Sequence, residues 1–142
     1  MFDFLNKKKN KNTEKVDLMK KTASLLIHVA KIDENYTEKE KTIIKKTLLQ
    51  MKVEKNNVDT LFKEAELMEK NSNQILDFTR EIKNTSDKFK RNLIESLWHI
   101  IFSDGSSDMY ESNLMRRLTG LIYLDSKIVG DIKKKVKENL NK

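Results

Sequence analysis

Apolar residues recur along this chain at intervals of three and four positions, which is the spacing of one face of an α-helix. No stretch alternates apolar and polar residues over the length of a strand, so the pattern predicts an all-α protein. Seven amphipathic segments follow one another, separated by short clusters of Asn, Ser and Asp. Their apolar positions are Val16, Met19, Ala23, Leu26, Ile27 and Ala30; Ile43, Ile44, Leu48 and Met51; Leu61, Phe62, Ala65 and Met68; Ile75, Leu76 and Ile82; Phe89, Leu93, Ile94, Leu97, Trp98, Ile100 and Ile101; Leu114, Met115, Leu118, Leu121 and Ile122; Ile128, Val129, Ile132, Val136 and Leu140.

The pattern also predicts where the helices begin. The first helix is expected over roughly residues 15–33, and the second starts at about Thr37. Residues 84–87 offer N-caps for the fifth helix. Because the fifth segment has the widest apolar arc, we expect it to be the central helix, with Trp98 in its core face.

The composition suits one domain. The chain has 142 residues, no Cys and no Pro, and three Gly, so disulfides, thiolate metal sites and a glycine-rich phosphate loop are excluded. The absence of Pro favours long helices. We expect residues 1–14 to form a basic, flexible tail and residues 15–142 to form a single helical domain.

The net charge of +7 lies at the two ends of the chain, in residues 1–15 and 127–142. A compositionally biased genome, rich in Lys and Asn, explains this excess most simply. Because only four of the 29 basic residues are Arg, which supplies most base-specific contacts, specific nucleic-acid recognition is not expected.

The N-terminus carries no secretory signal, because lysines follow Phe2, Phe4 and Leu5 at once. We therefore expect a cytoplasmic protein. Those three apolar side chains and the lysines offer a peripheral contact with an anionic membrane at its inner face, and a disordered tail is the simpler alternative.

The chain repeats itself at an offset of 71 residues. His28 then aligns with His99, and each His begins the same pattern, His-x4-Asp-x6-Glu. The repeat predicts two pseudo-symmetric helix-turn-helix halves. Each half has a corner with an Asp near the end of one helix and a Glu in the first turn of the next; the four carboxylates are Asp33, Glu40, Asp104 and Glu111.

Helix capping explains the two glutamates, because Thr37-x-x-Glu40 and Asp108-x-x-Glu111 have the form of capping boxes. The two aspartates gain nothing from a helix C-terminus, where the dipole is negative. Amide donors in the turn, a basic neighbour or a bound cation would offset the unfavourable interaction of these carboxylates with the helix dipole.

A cation is one of two open interpretations of these corners. If the corners pack together, the four carboxylates raise one another's pKa, and a divalent ion removes that conflict. Oxygen ligands favour Ca²⁺ or Mg²⁺. The alternative is capping and turn geometry alone. We expect His28 and His99 to be buried and hydrogen-bonded, and Gly120 and Gly130 to mark close helix approaches or helix ends.

The sequence resembles the TerB family of tellurite-resistance proteins and the TerB-like domain of membrane-anchored DjlA-type co-chaperones. The resemblance covers about residues 16–136 and rests on the paired acidic corners, with a good fit in Ser103-Asp104-Gly105 and Asp108-Met109-Tyr110-Glu111. The first corner departs from the family, which tends to have Gly where this chain has Glu34.

The resemblance implies an all-helical bundle of about seven helices, with an acidic cluster for cation binding or partner docking in a stress response near membrane complexes. The four acidic positions above would carry it. We therefore predict a non-enzymatic binding or scaffold protein with a protein partner. The alternatives are a metal-dependent hydrolase using the same carboxylates, and a nonspecific nucleic-acid or membrane-surface binder acting through the lysine-rich ends.

Overall fold

The computed structural model describes the backbone of residues 2–32, 36–72, 74–103 and 109–140, and within them the side chains from residue 14 onward except those of residues 109–112. In this part of the chain every regular element is helical, which confirms the all-α prediction. The elements are α1 (Phe2–Ala30), α2 (Glu38–Gln50), α3 (Lys55–Asn71), α4 (Leu76–Thr79), a 3₁₀ turn (Ile82–Asn84), α5 (Asp87–Phe102), α6 (Met109–Leu121) and α7 (Ser126–Leu140).

The first helix begins much earlier than the sequence pattern predicted. α1 starts at Phe2 and ends at Ala30, whereas the apolar period becomes visible only near residue 15. The longer helix has a physical basis, because residues 2–14 contain neither Gly nor Pro to interrupt it. The boundary drawn at residue 14 stays a prediction, since helicity of a segment and its freedom to move are different properties.

Two helices share the centre of the bundle. α5 was the expected central helix, and it packs against α1, α2 and α7. α1 contacts α2, α3, α4 and α5, and its residues 22–27 are all buried. As predicted, Trp98 belongs to the core: it is 3% exposed and stacks on Phe102 with ring centroids 5.6 Å apart.

Several polar residues inside this core have hydrogen-bond partners, whereas the buried Thr79 Oγ1 and Trp98 Nε1 have none among the described residues. The hydroxyls of Thr22 and Ser24 donate to backbone carbonyls one turn earlier in α1, and Ser24 Oγ also lies 3.0 Å from the carbonyl oxygen of Ala65 in α3. Between α2 and α5, the hydroxyl oxygens of Thr47 and Ser96 lie 2.8 Å apart. Because these hydroxyls are paired, the helices pack closely at these contacts without leaving a hydroxyl unsatisfied.

The helix boundaries repeat at the offset found in the sequence. α6 covers the positions of α2 shifted by 71 residues, and α7 begins 71 residues after α3. Lys52 and Tyr123, at the same offset, both have positive φ, of 73° and 59°. Each ends its helix in the left-handed conformation, and the next amide, of Val53 or Leu124, donates to a carbonyl five residues back. The two-fold arrangement of the halves stays a prediction.

The described glycines do not mark close approaches between helices. A Cβ built on Gly120 or Gly130 would meet no atom within 4 Å. The other half of that prediction holds for Gly120, which precedes the last residue of α6, whereas Gly130 lies inside α7. No helix in the described part of the chain is both long and apolar enough to span a bilayer.

Candidate functional site

The first corner is built by the end of α1, Tyr36, Thr37 and the first turn of α2. Thr37 is the N-cap, and the predicted capping box is present. The Glu40 amide donates to Thr37 Oγ1 at 3.3 Å, and Glu40 Oε1 accepts from the Thr37 amide at 3.0 Å. Glu40 is 5% exposed. The carboxylate of Glu40 therefore stabilises the helix start, whatever else it binds.

Two further glutamates reach this corner from α3. The Tyr36 hydroxyl donates to Glu66 Oε2 at 3.2 Å, and Glu69 Oε2 lies 2.8 Å from Lys31 Nζ. Burial raises the pKa of the Tyr36 phenol well above its ordinary value, and the charges of Glu66, Glu40 and Glu69 raise it further. The first corner thus has a negative field at the Tyr36 hydroxyl.

Sequence analysis missed Glu66 and Glu69. Their spacing could have pointed to them, because two glutamates three residues apart on one helix lie on the same face. The repeat did not select them, because the residues 71 positions later are Lys137 and Leu140, which are not acidic. The acidic surroundings of the first corner therefore have no counterpart on α7.

Basic groups surround the same carboxylates. Lys31 and Lys41 place their ammonium groups 5.6 and 4.9 Å from the centroid of the Tyr36 ring. Lys41 Nζ also lies 3.4 Å from Glu38 Oε1. Each of these cations offsets part of the local negative charge, so the described part of the corner is a mixed network of acids and bases.

The two histidines are not buried, which corrects the sequence prediction. The side chains of His28 and His99 are 39% and 37% exposed. His28 Nδ1 lies 3.4 Å from Glu69 Oε1, and His99 Nε2 lies 4.0 Å from Glu95 Oε1. Both occupy the edge of a core helix, where the apolar face meets solvent, and each has a carboxylate neighbour.

One hydrogen bond joins the first corner to the residue that directly precedes the second corner. Lys39, in the first turn of α2, donates from Nζ to the carbonyl oxygen of Ser103 at 3.1 Å. Ser103 follows α5 and directly precedes Asp104 in sequence. A cation is favourable at the negative C-terminal end of a helix. The start of α2 and the end of α5 are therefore neighbours.

Three of the four predicted site residues fall wholly or partly outside the described part of the chain. Asp33 and Asp104 lie outside the described residues, as does the Asp108 end of the second capping box; Glu111 is in α6, and its side chain lies outside them. Their convergence with Glu40 is therefore untested. Among the described residues, no group of three or more His, Asp or Glu side chains is placed to hold a metal ion.

The described part of the chain is an all-helical domain whose helix boundaries repeat at an offset of 71 residues, with a capping box at the first corner. A comparison with protein families matches residues 19–134 to Tellurite resistance protein TerB. The chain belongs to this family, as the resemblance had suggested. No curated protein and no solved structure gives a match.

Proposed function

We propose that this TerB family member is a non-enzymatic binding domain whose two corners jointly take up a divalent cation. The ligands in this proposal are Asp33, Glu40, Asp104 and Glu111. All four supply carboxylate oxygens, which suit Ca²⁺ or Mg²⁺.

The observation that carries the proposal is the contact of Lys39 with the Ser103 carbonyl. It brings the first turn of α2, which holds Glu40, next to the residue that precedes Asp104. Two acidic corners at separate ends of the bundle would have no shared role. In this proposal the two corners, joined by that hydrogen bond, present their carboxylates on one face.

The electrostatics of the first corner support the same proposal. Burial is the largest cause of the raised pKa of the Tyr36 phenol, and the negative charges of Glu66, Glu40 and Glu69 raise it further. A divalent cation nearby would be attracted by that field. We further propose that the loaded face docks a protein partner in a stress response of the kind named by the family, tellurite resistance.

The test is thermal unfolding with and without Ca²⁺, Mg²⁺ and Mn²⁺, on the wild-type chain and on the double variant Asp33→Asn with Asp104→Asn. A cation at a hundred times its dissociation constant adds about 2.7 kcal/mol to the free energy of unfolding. The matched control removes two exposed carboxylates elsewhere, by Asp17→Asn with Asp131→Asn. The wild type and the control should gain stability with the ion, and the Asp33/Asp104 variant should gain none.

The variant Glu40→Gln separates capping from coordination. The Gln amide oxygen can accept the hydrogen bond from the Thr37 backbone amide as the carboxylate does, so the capping box persists. We expect near wild-type stability without metal and a weaker response to the cation. A wild-type melting temperature that none of the three ions moves would refute the cation proposal and leave capping as the role of Glu40.

A further inference from the structure

A groove opens on the side of the bundle formed by α1, α3 and α4. It encloses about 680 Å³. Ligand-binding clefts fall in the range of about 300 to 1,000 Å³. The groove is lined by residues that neither the corners nor the sequence repeat involve, so it is separate from the cation proposal.

The walls of the groove expose apolar surface. Leu67 of α3 is 61% exposed and Leu76 of α4 is 40% exposed, and both line the groove. Met68 and Phe78 contribute further apolar lining from the core side. Exposed leucines on both walls of one cleft mark an interaction surface, because covering them with a partner removes apolar area from water and stabilises the complex.

The rim of the groove carries several charged side chains, most of which have a described partner. Lys20 lies 2.9 Å from Glu64, Lys21 pairs with Glu81, and Asp77 accepts a hydrogen bond from Ser72 at 2.6 Å. Arg80 also lines the groove and has no ion pair or hydrogen bond from its guanidinium to any other described residue.

The guanidinium of Arg80, which has no described ion-pair partner, favours a negative charge on any ligand that occupies the groove. An arginine fork binds a carboxylate through two parallel hydrogen bonds. The lysine pairs on α1 lie at the protein surface, with partly buried lysines and exposed glutamates, and surface ion pairs of this kind contribute little to stability. Among the described residues, an incoming carboxylate therefore finds Arg80 without an ion pair and two lysines whose ion pairs it can share.

We propose that this groove binds an amphipathic, acidic helix of a partner protein. The partner places leucine-type side chains between Leu67 and Leu76 and a Glu or Asp against Arg80. This is the helix-in-groove mode of recognition, in which anchors repeat at three- and four-residue spacing. The proposal stands on the groove alone and holds whether or not the corners bind a cation.

The probe is a designed twelve-residue peptide, acetylated and amidated, with leucines at helical spacing and glutamates elsewhere. Its partner probe has lysine in place of every glutamate. Fluorescence anisotropy of the labelled peptides gives the affinity, and two-dimensional NMR of the full chain shows which amides shift. We expect the acidic peptide to bind and to shift amides around Leu67, Leu76 and Arg80.

Arg80→Glu should weaken binding of the acidic peptide about tenfold and strengthen binding of the lysine peptide, since one charge contact of this kind is worth about a factor of ten. Leu67→Ala should weaken both peptides. Matched controls are Lys46→Glu and Leu49→Ala on α2, both on exposed residues away from the groove. These should leave both affinities unchanged.

Several results would overturn the proposal: no binding of the acidic peptide, amide shifts confined to another face, or equal losses in the groove variants and their controls. Equal affinity for the two peptides in the wild type would show that Arg80 selects no charge. None of these results bears on cation binding, which is measured by the melting experiment above.

Discussion

The ammonium of Lys39 caps the last carbonyl before the second corner, at 3.1 Å from the oxygen of Ser103. The two residues are 64 positions apart in sequence. A lysine in the first turn of α2 opposes the dipole of its own helix, and the contact places its charge at the favourable end of another.

We predict that Lys39→Met lowers the free energy of unfolding by about 0.5 to 1 kcal/mol, because it removes a charged hydrogen bond from the exposed surface. Lys39→Arg should retain most of the stability. Lys46→Met on the exposed face of the same helix is the control, and urea unfolding is the measurement. A loss equal to that of the control would mean that the contact with Ser103 contributes nothing.

The Tyr36 phenol predicts a specific loss of stability at high pH. Its folded pKa is raised by burial and then by Glu66, so the unfolded chain releases this proton first, near pH 10. The stabilisation is complete below about pH 10 and is lost above it, at up to about 1.4 kcal/mol per pH unit.

Tyr36→Phe should therefore make stability fall less steeply between about pH 10 and 11, as measured by denaturant unfolding at each pH. It should also lower stability at neutral pH by about 0.5 to 1.5 kcal/mol, because the hydrogen bond to Glu66 is lost. Tyr123→Phe, on a side chain 73% exposed, is the matched control. Equal changes in slope for the two variants would contradict the assignment to Tyr36.

Gly130 lies in the interior of α7 with open space where a Cβ would be. We predict that Gly130→Ala raises the free energy of unfolding by about 0.5 to 1 kcal/mol, because alanine loses less backbone entropy in a helix. Gly120→Ala, close to the end of α6, should give a smaller gain. Thermal unfolding measures both, and a destabilised Gly130→Ala protein would disprove the open-space geometry.

Lys52 and Tyr123 adopt a backbone conformation that favours glycine. Replacing either residue with glycine should stabilise the chain by about 0.5 to 1 kcal/mol, because the side chain is strained in the left-handed region. Gln50→Gly, at the helical end of α2, should destabilise it by a similar amount. If both left-handed positions lose stability on substitution, their side chains contribute more than the strain costs.

The sequence predicted best those features that depend on neighbouring residues. The N-caps at Thr37 and Ser86 could be identified because a capping residue and the amide that donates to its side chain lie three positions apart. The core positions of α5 followed from its apolar period. Val16 was an exception: it fits the period of α1 and is 46% exposed, because it precedes the part of α1 that the bundle covers.

The candidate site was less predictable, since it depends on contacts between distant segments. Glu66 and Glu69 reach Tyr36 only because α3 packs along α1. Likewise, no local pattern reveals that Lys39 meets Ser103. The histidines were expected to be buried because their spacing from the aspartates makes a shared chelate awkward, yet both side chains are more than one third exposed.

The buried stretch at residues 22–27 has a consequence for how the chain is made. α1 emerges from the ribosome before the helices that cover it, and α5, its neighbour in the centre, ends at Phe102. At synthesis rates of about 5 to 20 residues per second, the nascent chain leaves this stretch of α1 uncovered by α5 for several seconds. During that interval the apolar face of the first helix is open to solvent, so non-native contacts of the nascent chain have to be avoided until the later helices cover it.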